Sequence, residues 1–193
     1  MTSALIPPVA TGSSVAEEYR PFAIKASRNR RQENLELPVM LRALGLSHAD
    51  RVLEVGCGPG VALPVLARVL QPRKLVGLDL DSALLADARQ RASTSRIEAE
   101  IVPGDIRAIP FPDASFDLVV DFGTCFHIDR ADAALREIAR VLIPGGHFAT
   151  ETPISQLISH PVRSFGRRLP WGAAPALRRV RHAGLWELRR RID

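Results

Sequence analysis

A chain of 193 residues with ordinary apolar and charged fractions is long enough to bury one core, and a single domain is expected. Its longest apolar stretch, Val61–Leu70, is broken by Pro64 and Arg68 and falls short of the ~20 residues of a membrane span. Met1–Ala10 lacks the basic start and apolar run of a signal peptide, so a cytoplasmic protein is expected. Cys57 and Cys125 are too few for a disulfide framework or a structural zinc site, and no metal is expected; the net charge of +5 is unevenly spread, with nine arginines against Glu187 and Asp193 after Ser159.

In chain order, Met1–Ser14 is rich in Pro, Ser and Thr and reads as disordered. Residues 1–34 form a flexible N-terminus and a candidate lid, with Tyr19, Phe22 and Ile24 set among polar residues. Leu35–Leu46 has Leu37, Met40, Leu41 and Leu44 at helical spacing, with Gly45 placed to end the helix. Arg51–Val55 is a short apolar strand, followed by a glycine-rich turn and a helix from Val61 to Leu70. Lys74–Leu80 is the second strand. Ser82 N-caps a helix through Arg91, although Asp81 suits the capping role too. Ile97–Val102 and Phe116–Asp121 are the third and fourth strands, Ala131–Leu142 is an amphipathic helix, and His147–Glu151 is the fifth strand after a Pro144-Gly145-Gly146 turn. Strands alternating with helices predict an α/β, Rossmann-like, doubly wound and mostly parallel sheet with helices on both faces, spanning residues 35–151. Ligands of such sheets sit beyond the carboxyl ends of the strands, at the switch point. Residues 152–193 remain as a basic cap segment.

Three places on that rim carry chemistry. In VLEVGCGPG, Gly56, Gly58 and Gly60 alternate directly after a strand and behind Glu54, where positive φ and close approach of a ligand to backbone are needed. Val61 stands where a dinucleotide fingerprint requires its last glycine, which counts against a nicotinamide cofactor. Asp79 ends the second strand about 20 residues on, where a carboxylate accepts from ribose hydroxyls. Asp105 sits after the third strand, able to accept from an exocyclic amine, with Ile106 placed to pack on an aromatic base.

VLEVGCGPG, GLDLD, GDIRAIPFPDASFDLVV and EIARVLIPGGHFA occur in that order. Together they resemble the class I S-adenosylmethionine-dependent methyltransferases, closest to the type 11 group that includes the ubiquinone and menaquinone C-methyltransferases. The resemblance covers about Leu35 to Thr150. It implies S-adenosyl-L-methionine as cofactor. Gly56, Gly58 and Gly60 would lie under its methionine and ribose parts, and Glu54 would help hold the methionine end. Asp79, with Leu80 beside it, would grip the ribose, Asp105 and Ile106 would recognise adenine, and Asp121 or Phe122 would approach the amino-acid end. Ile143 stands where the family often has lysine. Two strands follow the fifth in that family, the last antiparallel. Here a helix near Ala176–Ala183 and one strand, Leu185–Ile192, are expected, so the last strand reads as missing.

An activated methyl group leaves the protein to align a small-molecule acceptor and exclude water. His127, in TCFHID, is the candidate base for a phenol or enolate acceptor, although a loop-closing polar residue fits it as well. Two other classes stay open: a non-catalytic cofactor-binding module acting through a partner, supported only by the incomplete C-terminal half, and a nicotinamide-dependent oxidoreductase. The terminal arginines predict no specific nucleic-acid complex and at most weak contact with anionic membranes. The acceptor and the oligomeric state have no motif.

Overall fold

The computed structural model describes residues 29–159 and 168–193. Phe22 and the rest of the candidate lid up to residue 28 lie outside the described residues, as do Arg163 and Arg167. A π-helical turn, Gln32–Glu36, leads into α1 (Leu37–Leu44), which buries the four predicted residues and ends on Gly45 at φ 73°. β1 (Arg51–Val55), β2 (Lys74–Asp79), β3 (Glu100–Pro103), β4 (Phe116–Asp121) and β5 (Leu142–Glu151) pair in parallel. The register of β4 with β5 slips between Phe116 and Leu118, so β5 reaches back to Leu142 through the Pro-Gly-Gly turn. The helices between them are α2 (Leu63–Leu70), α3 (Ser82–Thr94), α4 (Thr124–His127) and α5 (Ala131–Val141), with α6 (Pro153–Ser159) after β5.

The N-cap of α3 is Asp81 rather than Ser82: its carboxylate accepts from the backbone N–H groups of Ala83 and Leu84. The helix after the glycine turn starts at Leu63, because positions 57–62 are needed to bring the chain around, and Pro64 falls in its first turn where its missing N–H costs nothing.

The larger correction concerns the C-terminal half. Residues expected to form a helix near Ala176–Ala183 form a strand, β6 (Leu177–Ala183), and β7 (Trp186–Arg191) follows it. The seven strands run β3-β2-β1-β4-β5-β7-β6, with β7 antiparallel to both neighbours, so the last strand is present. The physical reason is pairing. β6 buries only Leu177 at its start and exposes Arg178 through His182, so it has no apolar periodicity to read, and its backbone is satisfied by β7. Arg178, Arg179 and Arg181 therefore do not share a helical turn.

Two apolar layers cover the sheet. Leu53, Val55, Val119 and Phe148 meet α5 through Leu135 and Ile138, while Val52, Leu118, Val120 and Leu188 meet α1 and α2. Strand order reverses between β1 and β4, which opens the crevice beyond Val55 and Asp121, themselves register partners. No helix among the described residues is long and apolar enough to cross a membrane.

Candidate functional site

The three glycines of the turn do different work. All have positive φ: 65° at Gly56, 51° at Gly58 and 72° at Gly60. A Cβ on Gly56 would lie 1.9 Å from Thr124 Oγ1, and one on Gly60 would press on Ala88 of α3 at 3.1 Å. Those two glycines let α4 and α3 close on the turn. A Cβ on Gly58 would meet nothing within 4 Å, so Gly58 is the residue whose bare backbone faces the open crevice.

Asp79 holds that backbone in place. One carboxylate oxygen accepts from Gly58 N–H at 2.8 Å and the other from Asp81 N–H at 2.9 Å. Burial raises its pKa above the usual aspartate value, with the backbone N–H groups opposing. On the far side of the turn, Arg91 Nε donates to Pro59 C=O at 3.1 Å, and its Nη1 pairs with Glu33 of the π-helical turn at 3.3 Å. Leu80, half exposed, flanks Asp79.

Glu54, inside β1, is 3% exposed, and its Oε2 is buried without a hydrogen-bond partner. Burial pushes its carboxyl well above the usual range, and the nearby Asp79 and Asp121 push it further. Asp121 is also fully buried, but its oxygens are spoken for: they accept from Thr124 N–H at 2.7 Å, Cys125 N–H at 3.3 Å and Thr150 Oγ1 at 3.4 Å. It thus fixes the start of α4. Phe122 turns to the opposite layer and meets Trp186 edge-on, ring centroids 6.3 Å apart.

Asp105 caps a short 3-10 turn, Ile106–Ala108, and both of its oxygens are held by the Arg107 guanidinium at 2.7–3.0 Å. Burial raises Asp105, and Arg107 more than offsets it, leaving the carboxyl below its usual value. Ile106 is buried in the core layer beneath it. Arg140 pins the following loop by donating to the carbonyls of Ile109 and Phe111, both at 2.8 Å. Glu54, Gly58 and Asp79 are thereby gathered at one end of the sheet, with Asp105 along the same rim. His127, half-buried, closes α4.

Two residues that no sequence motif marks belong to this rim. Glu151 ends β5 and Gln156 reaches back from α6 to donate Nε2 to a Glu151 oxygen. Both press on Gly123, whose Cβ would lie 2.5 Å from Gln156 Nε2 and 3.3 Å from Glu151 Oε2. Gln156 Oε1 is buried without a hydrogen-bond partner. A lone Glu at a strand end and a Gln seven residues after Ala149 carry no sequence signal. Among the described residues no cluster of metal-ligating side chains exists.

A family model described as a methyltransferase domain matches residues 53–150. Over 98 residues the chain is 44% identical to a fatty-acid O-methyltransferase of Mycolicibacterium smegmatis, covering 51% of this chain and 35% of that protein. Over 99 residues it is 37% identical to a phthiotriol/phenolphthiotriol dimycocerosates methyltransferase of Mycobacterium leprae, covering 51% and 36%. The match thus spans about a third of the length of these curated relatives. A crystal structure of a Pyrococcus horikoshii protein shares the fold at a TM-score of 0.67, with 20% identity over 92% of this chain and 99% of that one. Because the family match covers half of the chain and runs through the whole crevice-forming part of the sheet, this chain belongs to the type 11 S-adenosylmethionine-dependent methyltransferase family.

Proposed function

We propose that this chain binds S-adenosylmethionine across the β1/β4 crevice and transfers its methyl group to a small-molecule acceptor with an apolar body. The observation that carries the reading is Glu54. A buried carboxylate with an orphaned oxygen, beside two more carboxylates, suits a ligand bearing cationic groups, and S-adenosylmethionine has an ammonium and a sulfonium. Gly58 supports it by leaving room for the ligand, and Asp79 by standing where ribose hydroxyls would donate. Asp105 and Ile106 would serve the adenine, Asp105 sharing its oxygens with Arg107. Asp121 would act through α4, and Phe122 through its packing on Trp186.

The cofactor supplies an activated methyl group when bound. The chain's own residues orient the acceptor and exclude water. An acceptor of lipid type is favoured by the two relatives named for a fatty acid and for phthiotriol lipids. A carboxylate acceptor needs no base, whereas a hydroxyl acceptor does, and His127 is then the candidate. The seventh strand removes the only ground for a module completed by a partner.

Two measurements test this. Calorimetry should give micromolar affinity for S-adenosylmethionine, on the order of −8 kcal/mol, and no measurable affinity for NAD. Asp79→Ala should weaken that affinity by about 1–3 kcal/mol, since it removes a ribose acceptor and releases Gly58 N–H together. No heat with millimolar S-adenosylmethionine would sink the proposal. With a hydroxylated lipid acceptor, His127→Ala should lower turnover by about 10²–10⁴ at unchanged cofactor affinity. Retained turnover would leave His127 a structural role.

A further inference from the structure

The C-terminal arginines divide into two groups. Arg189 and Arg191 are consumed internally. Arg189 pairs with Glu187 at 2.7 Å, donates to Leu177 C=O and stacks on Trp171 with its guanidinium carbon 3.3 Å from the ring centroid. Arg191 donates to the carbonyls of Arg140 and Leu142. Among the described residues Arg168, Arg178, Arg179, Arg181 and Arg190 are exposed. In register, His147 of β5 lies opposite Arg190 of β7, and Arg190 lies opposite Arg178 of β6. Direct register partners share one face of the sheet, so these three side chains form a row across three strands.

Like charges directly opposite on neighbouring strands are unfavourable. The next pair, Arg179 opposite Arg189, is bridged by Glu187, which lies 4.0 Å from Arg179 and 2.7 Å from Arg189. The Arg178–Arg190 pair has no carboxylate at ion-pair distance among the described residues, and both arginines are exposed. Burial, and then Arg190, hold His147 below the usual histidine value. Arg181 extends the cationic edge toward α1, donating to Ala43 C=O. Val180 and Ile192, at 53% and 50% exposure, add apolar side chains to the same edge. The outer side of β6 has no strand partner among the described residues.

We propose that the His147–Arg190–Arg178 row and the β6 edge form a docking surface for an anionic lipid bilayer. Lipid phosphates would fill the uncompensated charge, and Val180 and Ile192 would meet the interface between headgroup and chain. A single-stranded nucleic acid suits the surface less well, because the aromatic rings of β5 and β7, Phe148 and Trp186, are buried and leave no platform for bases, and a duplex would make no use of the exposed Val180 and Ile192. The row lies four register positions from Glu151, about 13 Å along the strand, so a docked bilayer flanks the crevice without covering it.

The test is co-sedimentation with phosphatidylglycerol-containing and pure phosphatidylcholine vesicles at about 50 and 150 mM salt, beside a duplex-DNA shift assay. Binding is expected only with phosphatidylglycerol and should fall as salt rises. Arg178→Glu/Arg190→Glu should weaken it by at least about twentyfold, each arginine near an anionic surface being worth roughly fivefold. Arg68→Glu/Arg96→Glu, with the same charge change on another part of the surface, should cost markedly less. S-adenosylmethionine affinity within twofold of the parent shows that both variants are folded. Absence of binding to anionic vesicles at low salt, equal loss in both double variants, or tighter binding to DNA than to vesicles would each overturn the proposal.

Discussion

Gly58→Val is expected to abolish S-adenosylmethionine binding while leaving a folded protein. The two halves of that result have separate causes. A Cβ at position 58 meets no protein atom within 4 Å, so the cost to folding is chiefly the left-handed strain at φ 51°, at least about 1–2 kcal/mol and more for a β-branched side chain. The valine side chain then occupies the space where the ligand must approach the turn. From a micromolar starting point, no saturation at millimolar cofactor is a loss of about 10³ or more. Circular dichroism and thermal melting should show the native sheet. Gly56→Ala is the contrasting variant. Its Cβ would strike Thr124 Oγ1, so it should displace α4 and lower the melting temperature. Normal cofactor affinity in Gly58→Val would show that the turn does not touch the ligand.

Glu54→Gln should separate the cost of a buried charge from its use. In the unliganded protein the Glu54 carboxyl titrates well above the ordinary value of 4.5, chiefly through burial and then through Asp79 and Asp121. The folded state therefore holds this proton more tightly than the unfolded chain does. Stability conferred by the protonated form is full below 4.5 and is lost as pH rises through the raised value. Asp79 and Asp121 are raised as well and act with the same sign. Glu54→Gln should flatten, without erasing, the fall in melting temperature above pH 4.5. A bound cation favours the ionised carboxylate, so binding should release a proton and tighten with pH across that window. The glutamine variant should bind S-adenosylmethionine about tenfold to hundredfold more weakly, with less pH dependence. Calorimetry in buffers of different ionisation enthalpy reads the proton directly. Unchanged affinity and unchanged proton release would remove Glu54 from the site.

The parts of this molecule that sequence reveals are those where burial and backbone geometry leave a pattern. β1 and β4 read as continuous apolar runs because both of their faces are covered, and Gly45 stops α1 because its φ of 73° suits glycine. β6 leaves no such pattern. Its Leu, Arg and Ala residues favour a helix locally, and only the ladder with β7 makes it a strand. The rim shows the same division. Glu54, Gly58 and Asp79 are legible as one motif set because a turn after a strand constrains them. Asp105 is legible by position, but its clamp by Arg107 is not, since that depends on side-chain direction. Glu151 and Gln156 meet only because α6 folds back over Gly123, and no local spacing encodes that contact.

The placement of β7 between β5 and β6 also decides how the margin is held. Among the described residues β6 has no hydrogen-bonded strand neighbour except β7, and β7 is the later of the two in sequence. The earlier strand therefore joins the sheet only through the later one, either after it or together with it as a hairpin. Leu177–Ala183 are held to the sheet only while Trp186–Arg191 are zipped against His147–Glu151. An opening that lifts Trp186–Arg191 off His147–Glu151 detaches β6 from the sheet as well, whether or not the two strands stay paired with each other. The five parallel strands, with the crevice, pair with one another without passing through β7. The arginine-bearing margin is thus tied to the rest of the sheet through β7 alone in its ladder, and through Leu177, Trp186 and Leu188 in its two apolar layers.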